Sequence, residues 1–232
     1  MSAAILAPHL DDAVLSCWSV VDSAADVSVL NVFAGLPPAG KCGWWDRETG
    51  AMDSAARMRE RRSEDAEALA QAGRNPVNLD FLEHQYREDE QPGTEELLEA
   101  IASHVRGRVV YGPAGIGDHA DHVLVRCVLG ELRRRGTDVR LYADLPYCAR
   151  EGWPERVAED GRPKLPGLRA RTVRLDANAQ KRKLRALETY RTQFAALTAG
   201  SSLRVIDPEV LPFEVLWEPV GSEAPTLAAS RS

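Results

Sequence analysis

Short apolar runs of strand length alternate along the chain with longer stretches in which apolar and charged positions recur at helical spacing. Residues 3–7 read as a short buried strand, followed by a polar turn and a helix over 12–24. Residues 27–33 form a second β-rich run, and 51–72 a long charged amphipathic helix stopped by Gly73 and the Asn75-Pro76 pair. A third strand over 77–81 and a helix over 94–104 follow, and Glu95 and Glu96 suit that helix's positive end. Strand 108–111 runs into a glycine-rich loop at 112–117. Helix 119–135, ended by Gly136, and strand 139–143 continue the alternation. Strand–helix–strand units of this length predict an α/β fold, a Rossmann-like, mostly parallel sheet flanked by helices in a single domain over 1–220.

Two stretches break the rhythm. Residues 34–49 hold Pro37-Pro38 and Gly43-Trp44-Trp45-Asp46, and 145–168 hold four prolines and three glycines. Loops this long inside a compact domain are usually lids or binding loops; for the second stretch a peripheral insertion is an equal alternative. Residues 221–232 read as a flexible tail.

Composition narrows the function classes. An apolar share of 44% over 232 residues is ample for one core. With 29 basic against 35 acidic residues the net charge is −6, which excludes a general nucleic-acid binder. The N-terminus lacks the basic segment and long apolar run of a signal peptide, and no apolar stretch approaches the ~20 residues that span a bilayer. Cys17, Cys42, Cys127 and Cys148 form no C-x-x-C pair, so neither a zinc knuckle nor a redox motif is indicated. The expectation is a cytoplasmic, reduced protein with no membrane partner and a small-molecule substrate, homo-oligomerisation being left open.

The candidate chemistry lies where the strands end. In open parallel sheets ligands gather outside the carboxyl ends of the strands, and the first strand ends in Pro8-His9-Leu10-Asp11-Asp12. Imidazole and carboxylate suit zinc, whose catalytic sites take three protein ligands and keep one position open. Alone, this motif is equally well explained as a helix cap. A second cluster, Asp118-His119-Ala120-Asp121-His122, follows strand 108–111 and places His119 and His122 three apart on one helical face. The other two histidines beyond His9, His84 and His104, have polar surroundings and read as solvated surface residues.

The two motifs together resemble the PIG-L/LmbE superfamily of zinc-dependent de-N-acetylases. The likeness extends through Trp45-Asp46, Arg61…Glu64 and Lys183…Tyr190-Arg191-Thr192-Gln193, roughly four-fifths of the chain in order. The resemblance implies removal of an N-acetyl group from a small amino-sugar-type substrate, in natural-product or thiol metabolism, with one Zn2+ per chain. It makes His9, Asp12 and His122 the metal ligands and Asp11 the general base. It makes His119 the stabiliser of the oxyanion and acid for the leaving amine, with Asp121 orienting it. Arg61 falls where some members contact substrate, though a surface salt bridge explains it as well. Trp44, Trp45 and Tyr147 are candidate substrate-binding residues; with Tyr86 and Trp153 they either stack on a sugar face or anchor the loops.

The family's first motif usually reads Pro-His-Pro-Asp-Asp-Glu, and here Leu10 and Ala13 replace the second proline and the glutamate. The lost glutamate predicts different hydrogen bonding around the ligands. Three other readings each call for a different pattern. A non-haem iron oxygenase would use His9, Asp11 and His122, but is usually all-β. A nucleotide-binding Rossmann domain would carry G-x-G-x-x-G after the first strand, whereas Gly112, Gly115 and Gly117 come late and at other spacing. A non-catalytic sugar-binding homologue would be expected to lose Asp11 or His119, and both are present.

Overall fold

A computed structural model describes residues 2–88, 90–159, 165–193 and 205–221. The N-terminal half alternates β1 (Ser2–Ala7), α1 (Asp12–Ser16), α2 (Trp18–Val21), β2 (Asp26–Asn31), α3 (Trp44–Glu48), α4 (Ser54–Ala70) and β3 (Pro76–Asn78). The rest runs α5 (Thr94–Val105), β4 (Val109–Pro113), α6 (Ala120–Arg134), β5 (Val139–Tyr142), α7 (Glu155–Glu159), β6 (Leu168–Arg174), α8 (Ala177–Glu188) and β7 (Phe213–Pro219). One sheet of order β3-β2-β1-β4-β5-β7-β6 results, its first five strands parallel and β7 antiparallel to both neighbours. The mostly parallel α/β expectation holds. Strand β1 is buried from Ala3 to Ala7, as a parallel strand covered by helices on both faces must be.

Several expected elements differ in detail. The helix over 12–24 is two short helices broken at Cys17, whose backbone leaves the helical region (φ −139, ψ 28). The cause is tertiary. Buried Glu214 of β7 accepts hydrogen bonds from the amides of Trp18 (2.7 Å) and Ser19 (2.9 Å) and an ion pair from Lys183 (2.9 Å), capping α2 from outside. The third strand is shorter than 77–81, with a single further bridge between Phe33 and Asp80. Within 34–49 the Trp44–Glu48 segment is helical, and 145–168 contains a 3-10 turn (Tyr147–Glu151) and α7. The tail expected over 221–232 lies outside the described residues, apart from Gly221.

Candidate active site at the switch point of the sheet

Strand order reverses between β1 and β4, and the crevice at such a point is where open α/β sheets bind ligands. The loop after β1 delivers His9, Asp11 and Asp12; Asp12 Oδ2 accepts the His9 amide at 2.8 Å, closing the turn. The loop after β4 passes through Gly117, whose φ of +89 and 2.7 Å approach of a would-be Cβ to the Tyr147 side chain exclude any other residue. It ends at His119, the N-cap of α6, whose Nδ1 accepts the Asp121 amide. The first turn of α6 then presents His122, and β5 delivers Asp144.

Three donor atoms converge. His9 Nδ1 and His122 Nε2 lie 3.4 Å apart, His122 Nε2 and Asp12 Oδ2 3.4 Å, and His9 Nδ1 and Asp12 Oδ2 3.6 Å. Ligands about 2.0–2.1 Å from one tetrahedral ion are separated by about 3.3 Å, so this two-nitrogen, one-oxygen set fits a divalent cation. The opposite nitrogen of each imidazole meets a carboxylate: His9 Nε2 meets Asp121 Oδ2 at 3.0 Å, and His122 Nδ1 meets Asp144 Oδ1 at 2.7 Å. Each carboxylate holds a proton on the nitrogen facing it and leaves the converging nitrogen's lone pair free. Burial disfavours charge on these imidazoles. For His9 the Asp121 hydrogen bond and the Glu83 and Asp12 carboxylates outweigh it, raising the pKa to about 9. For His122, Asp12 and Asp144 likewise outweigh burial and raise it. The centre therefore stabilises positive charge, whether protons or a bound cation carry it. The third corner is Asp12 rather than Asp11, which is not the His9–Asp11–His122 set of the oxygenase alternative.

Asp11 lines the cavity beside this triangle, and its carboxylate has no hydrogen-bond partner among the described residues. His119 stands edge-on to His9 (ring centroids 4.8 Å) and 5.3 Å from His122. Burial and the neighbouring His9 and His122 push its pKa down to about 3, so its imidazole is neutral. With Nδ1 accepting from the Asp121 amide, the ring proton sits on Nε2.

One expected partnership is corrected. The Asp121 carboxylate orients His9, not His119: Asp121 is the second residue of α6, its amide donates to His119 Nδ1, and its carboxylate meets His9 Nε2 instead. It also accepts from the His84 amide (2.9 Å) and from Arg87 Nη2 (2.5 Å). Burial works against this ionised state, but the His9 hydrogen bond and Arg87 hold the carboxyl well below the usual range.

These groups open into a cavity of about 550 Å3. Arg61 lines it and is neither a surface residue nor a surface salt bridge. It is 4% exposed and paired through Nη1 with Glu83 at 2.6 Å. Trp44 is 58% exposed at the cavity wall, and Tyr147 stands 5.5 Å from the His122 ring. Trp45 also lines the cavity but is anchored, donating from Nε1 to Gln193 (2.6 Å) and from its amide to Gln85 (3.1 Å). Tyr86 is a core residue bonded to Asp46, and Trp153 packs on the core away from the cavity lining. His84, expected on the solvated surface, is exposed but stands in the cavity wall, 6.5 Å from His119.

The residues read from the sequence omitted Asp144, Glu83 and Arg87. Asp144 had a signal, since it follows the carboxyl end of β5 as His9 follows β1. Glu83 and Arg87 lie in a polar loop whose pattern carries none. Where the family motif has glutamate, Ala13 is buried in the main core. Leu10 packs in a separate cluster with Ala34, Met58 and Tyr86.

Fold and site together define an open, mostly parallel α/β sheet whose switch-point crevice holds buried imidazole and carboxylate atoms at a spacing that suits a divalent cation. The sequence profile of the family PIG-L, GlcNAc-PI de-N-acetylase, matches residues 4–131, and the chain belongs to that family. No curated protein matches in a sequence comparison. Among solved structures, the chain is similar to the A40926 pseudoaglycone deacetylase Dbv21, with 29% identity and a TM-score of 0.74 over 94% of this chain and 96% of that one. It is also similar to a deacetylase of the teicoplanin biosynthesis pathway, at 26% identity and a TM-score of 0.74 over 96% and 100%. The zinc-inhibited form of teicoplanin deacetylase Orf2 is likewise similar, at 25% identity and a TM-score of 0.72 over the same shares. Among the described residues no helix is long and apolar enough to cross a membrane.

Proposed function

We propose that this chain is a zinc-dependent N-deacetylase that hydrolyses the acetamide of a small amino-sugar conjugate, with one ion held by His9, Asp12 and His122. The observation carrying this reading is the 3.4–3.6 Å triangle of donor atoms, with a neutral His119 beside it and an Asp11 carboxylate that has no hydrogen-bond partner among the described residues. A bound divalent cation supplies Lewis acidity, acidifying water and polarising the amide carbonyl. The chain's own groups do the rest. The Asp11 carboxylate accepts a proton from the attacking water as its oxygen bonds to the carbonyl carbon. His119 Nε2–H donates to the developing oxyanion, a term worth ~3 kcal/mol. Because His119 is held neutral, Asp11 is the better proton carrier. It returns the proton to nitrogen as the C–N bond breaks, leaving acetate and the free amine.

Trp44 and Tyr147 supply faces for a sugar ring, and the Arg61–Glu83 pair supplies donors and acceptors for its hydroxyls. The likeness to the A40926 pseudoaglycone deacetylase and to the teicoplanin deacetylases, over nearly the full length of each chain, supports a natural-product conjugate as substrate. The test is a panel of N-acetylglucosaminides assayed for acetate and free amine in equal amounts. Hydrolysis of at least one, abolished by Asp11→Asn, is expected. No acetate from any member by metal-loaded protein overturns the reading.

A further inference from the structure

Tyr190 follows α8, far in sequence from the first motif, yet its hydroxyl reaches the loop after β1. The oxygen lies 3.1 Å from the Leu10 carbonyl and 2.7 Å from Asp65 Oδ1 on α4. All three groups are buried; Asp65 and Tyr190 are each 1% exposed. The Leu10 carbonyl has no other hydrogen-bond partner among the described residues.

The hydrogens do not balance if Asp65 is ionised. A tyrosine hydroxyl owns one hydrogen, while a carbonyl and a carboxylate can only accept. One of the two oxygen–oxygen contacts would then hold no proton, leaving a buried acceptor unserved. A protonated Asp65 removes the conflict: its O–H donates to the tyrosine oxygen, and the tyrosine O–H donates to Leu10. The other carboxyl oxygen is served by the Asn31 side-chain amide at 2.6 Å, whose second hydrogen goes to Asn78.

We propose that Asp65 carries a proton in the folded protein and passes a hydrogen bond through Tyr190 to the Leu10 carbonyl, making Tyr190 and Asp65 positioning residues for the backbone between His9 and Asp11. Leu10 lacks a ring to fix its φ, so this tether and the packing of its side chain set the direction in which Asp11 faces the cavity.

The surroundings agree. Burial pushes the Asp65 carboxyl up to about 7, against the Tyr190 and Asn31 hydrogen bonds; the Asp11 charge adds to the rise, and Arg61, committed to Glu83, opposes it. Asn31 and Asn78, facing from β2 and β3, bring no charge. A folded pKa above the unfolded one means the folded state binds the extra proton. The stability this gives is complete below about pH 4, is lost as pH rises toward 7, and is absent above.

The experiment compares wild type with Asp65→Asn, Asp65→Leu and Tyr190→Phe, all metal-free, by urea unfolding from pH 5 to 8 and by amide hydrogen exchange of the 10–12 segment. Asparagine keeps a donor toward Tyr190 and does not titrate; leucine has no donor. The folding equilibrium constant of wild type relative to Asp65→Asn should fall up to tenfold per pH unit between 5 and 7, then level. At pH 5.5 the segment should exchange severalfold faster in Tyr190→Phe and Asp65→Leu, with Asp65→Asn matching wild type. A wild-type-to-Asp65→Asn ratio flat across this range overturns the protonated relay. So does unchanged exchange at 10–12 in Tyr190→Phe. Neither readout requires turnover, so both stand apart from the deacetylase reading.

Discussion

Asp144 offers the sharpest test of how the centre is tuned. Its carboxylate is fully buried, with Oδ1 2.7 Å from His122 Nδ1 and Oδ2 accepting the Ile116 amide at 2.9 Å. Asp144→Asn keeps the shape but replaces one acceptor by an amide NH2, and neither orientation fits. With nitrogen toward Ile116, two donors oppose each other in a buried site. With nitrogen toward His122, the imidazole must move its proton to Nε2, the atom that faces His9 and Asp12. Either outcome leaves a buried polar group badly served, a cost of about 1–3 kcal/mol, and groups in this position typically govern metal affinity by about 10–100-fold. Competition against a chromophoric chelator should therefore show the metal Kd of Asp144→Asn weakened by ~10–100-fold, with the circular dichroism spectrum unchanged. An unaltered Kd in a folded variant would refute the idea that Asp144 fixes the His122 tautomer.

The two aspartates of the first motif should separate. Asp11→Asn retains metal by elemental analysis while losing most turnover, whereas Asp12→Ala loses the metal itself; equal metal loss in both would sink the division. His119→Ala should lower kcat by roughly 10²–10³ with metal content intact, the size of one oxyanion donor, and a near-normal kcat would move that role elsewhere. Trp44→Ala should raise KM about fivefold and leave kcat alone, because an exposed stacking face contributes about 1 kcal/mol. Lys183→Met leaves Glu214 buried without its cation, at about 3–5 kcal/mol; a thermal melt should fall by about 10 °C, and a fall under about 2 °C would mean Glu214's two backbone hydrogen bonds suffice.

What could be read from the sequence follows from where information is local. Strands β1, β2, β4 and β5 are short, predominantly apolar stretches bounded by polar turns, and that pattern is visible in the sequence. Strands β6 and β7 carry no such signal. β6 carries Arg169, Arg171, Thr172 and Arg174 along a sheet edge without a sustained apolar alternation, and β7 carries Glu214 and Glu218 into the interior. Those carboxylates are satisfied by Lys183, Arg140 and Arg171, partners that only the fold supplies. The site divides similarly. His9 and Asp12 lie in the turn and helix start that follow β1, and His119 and His122 at the start of the helix that follows β4, on the side of the sheet where a general rule of parallel sheets points. Arg87, Glu83 and the reassigned Asp121 depend on how the loop after β3 folds across α6, a contact with no signature in spacing.

The central claim is that one divalent ion at His9, Asp12 and His122 enables amide hydrolysis. It is tested most directly by stripping the protein with a chelator and titrating zinc back while following acetate release from an N-acetylglucosaminide. A single break at one equivalent per chain is expected, with His9→Ala and His122→Ala inert throughout; manganese, cobalt and nickel titrated in parallel establish the metal's identity. Excess zinc is a necessary control, given the similar enzyme solved in a zinc-inhibited form. Full turnover by the stripped protein, or activity that persists in His122→Ala, would contradict the claim.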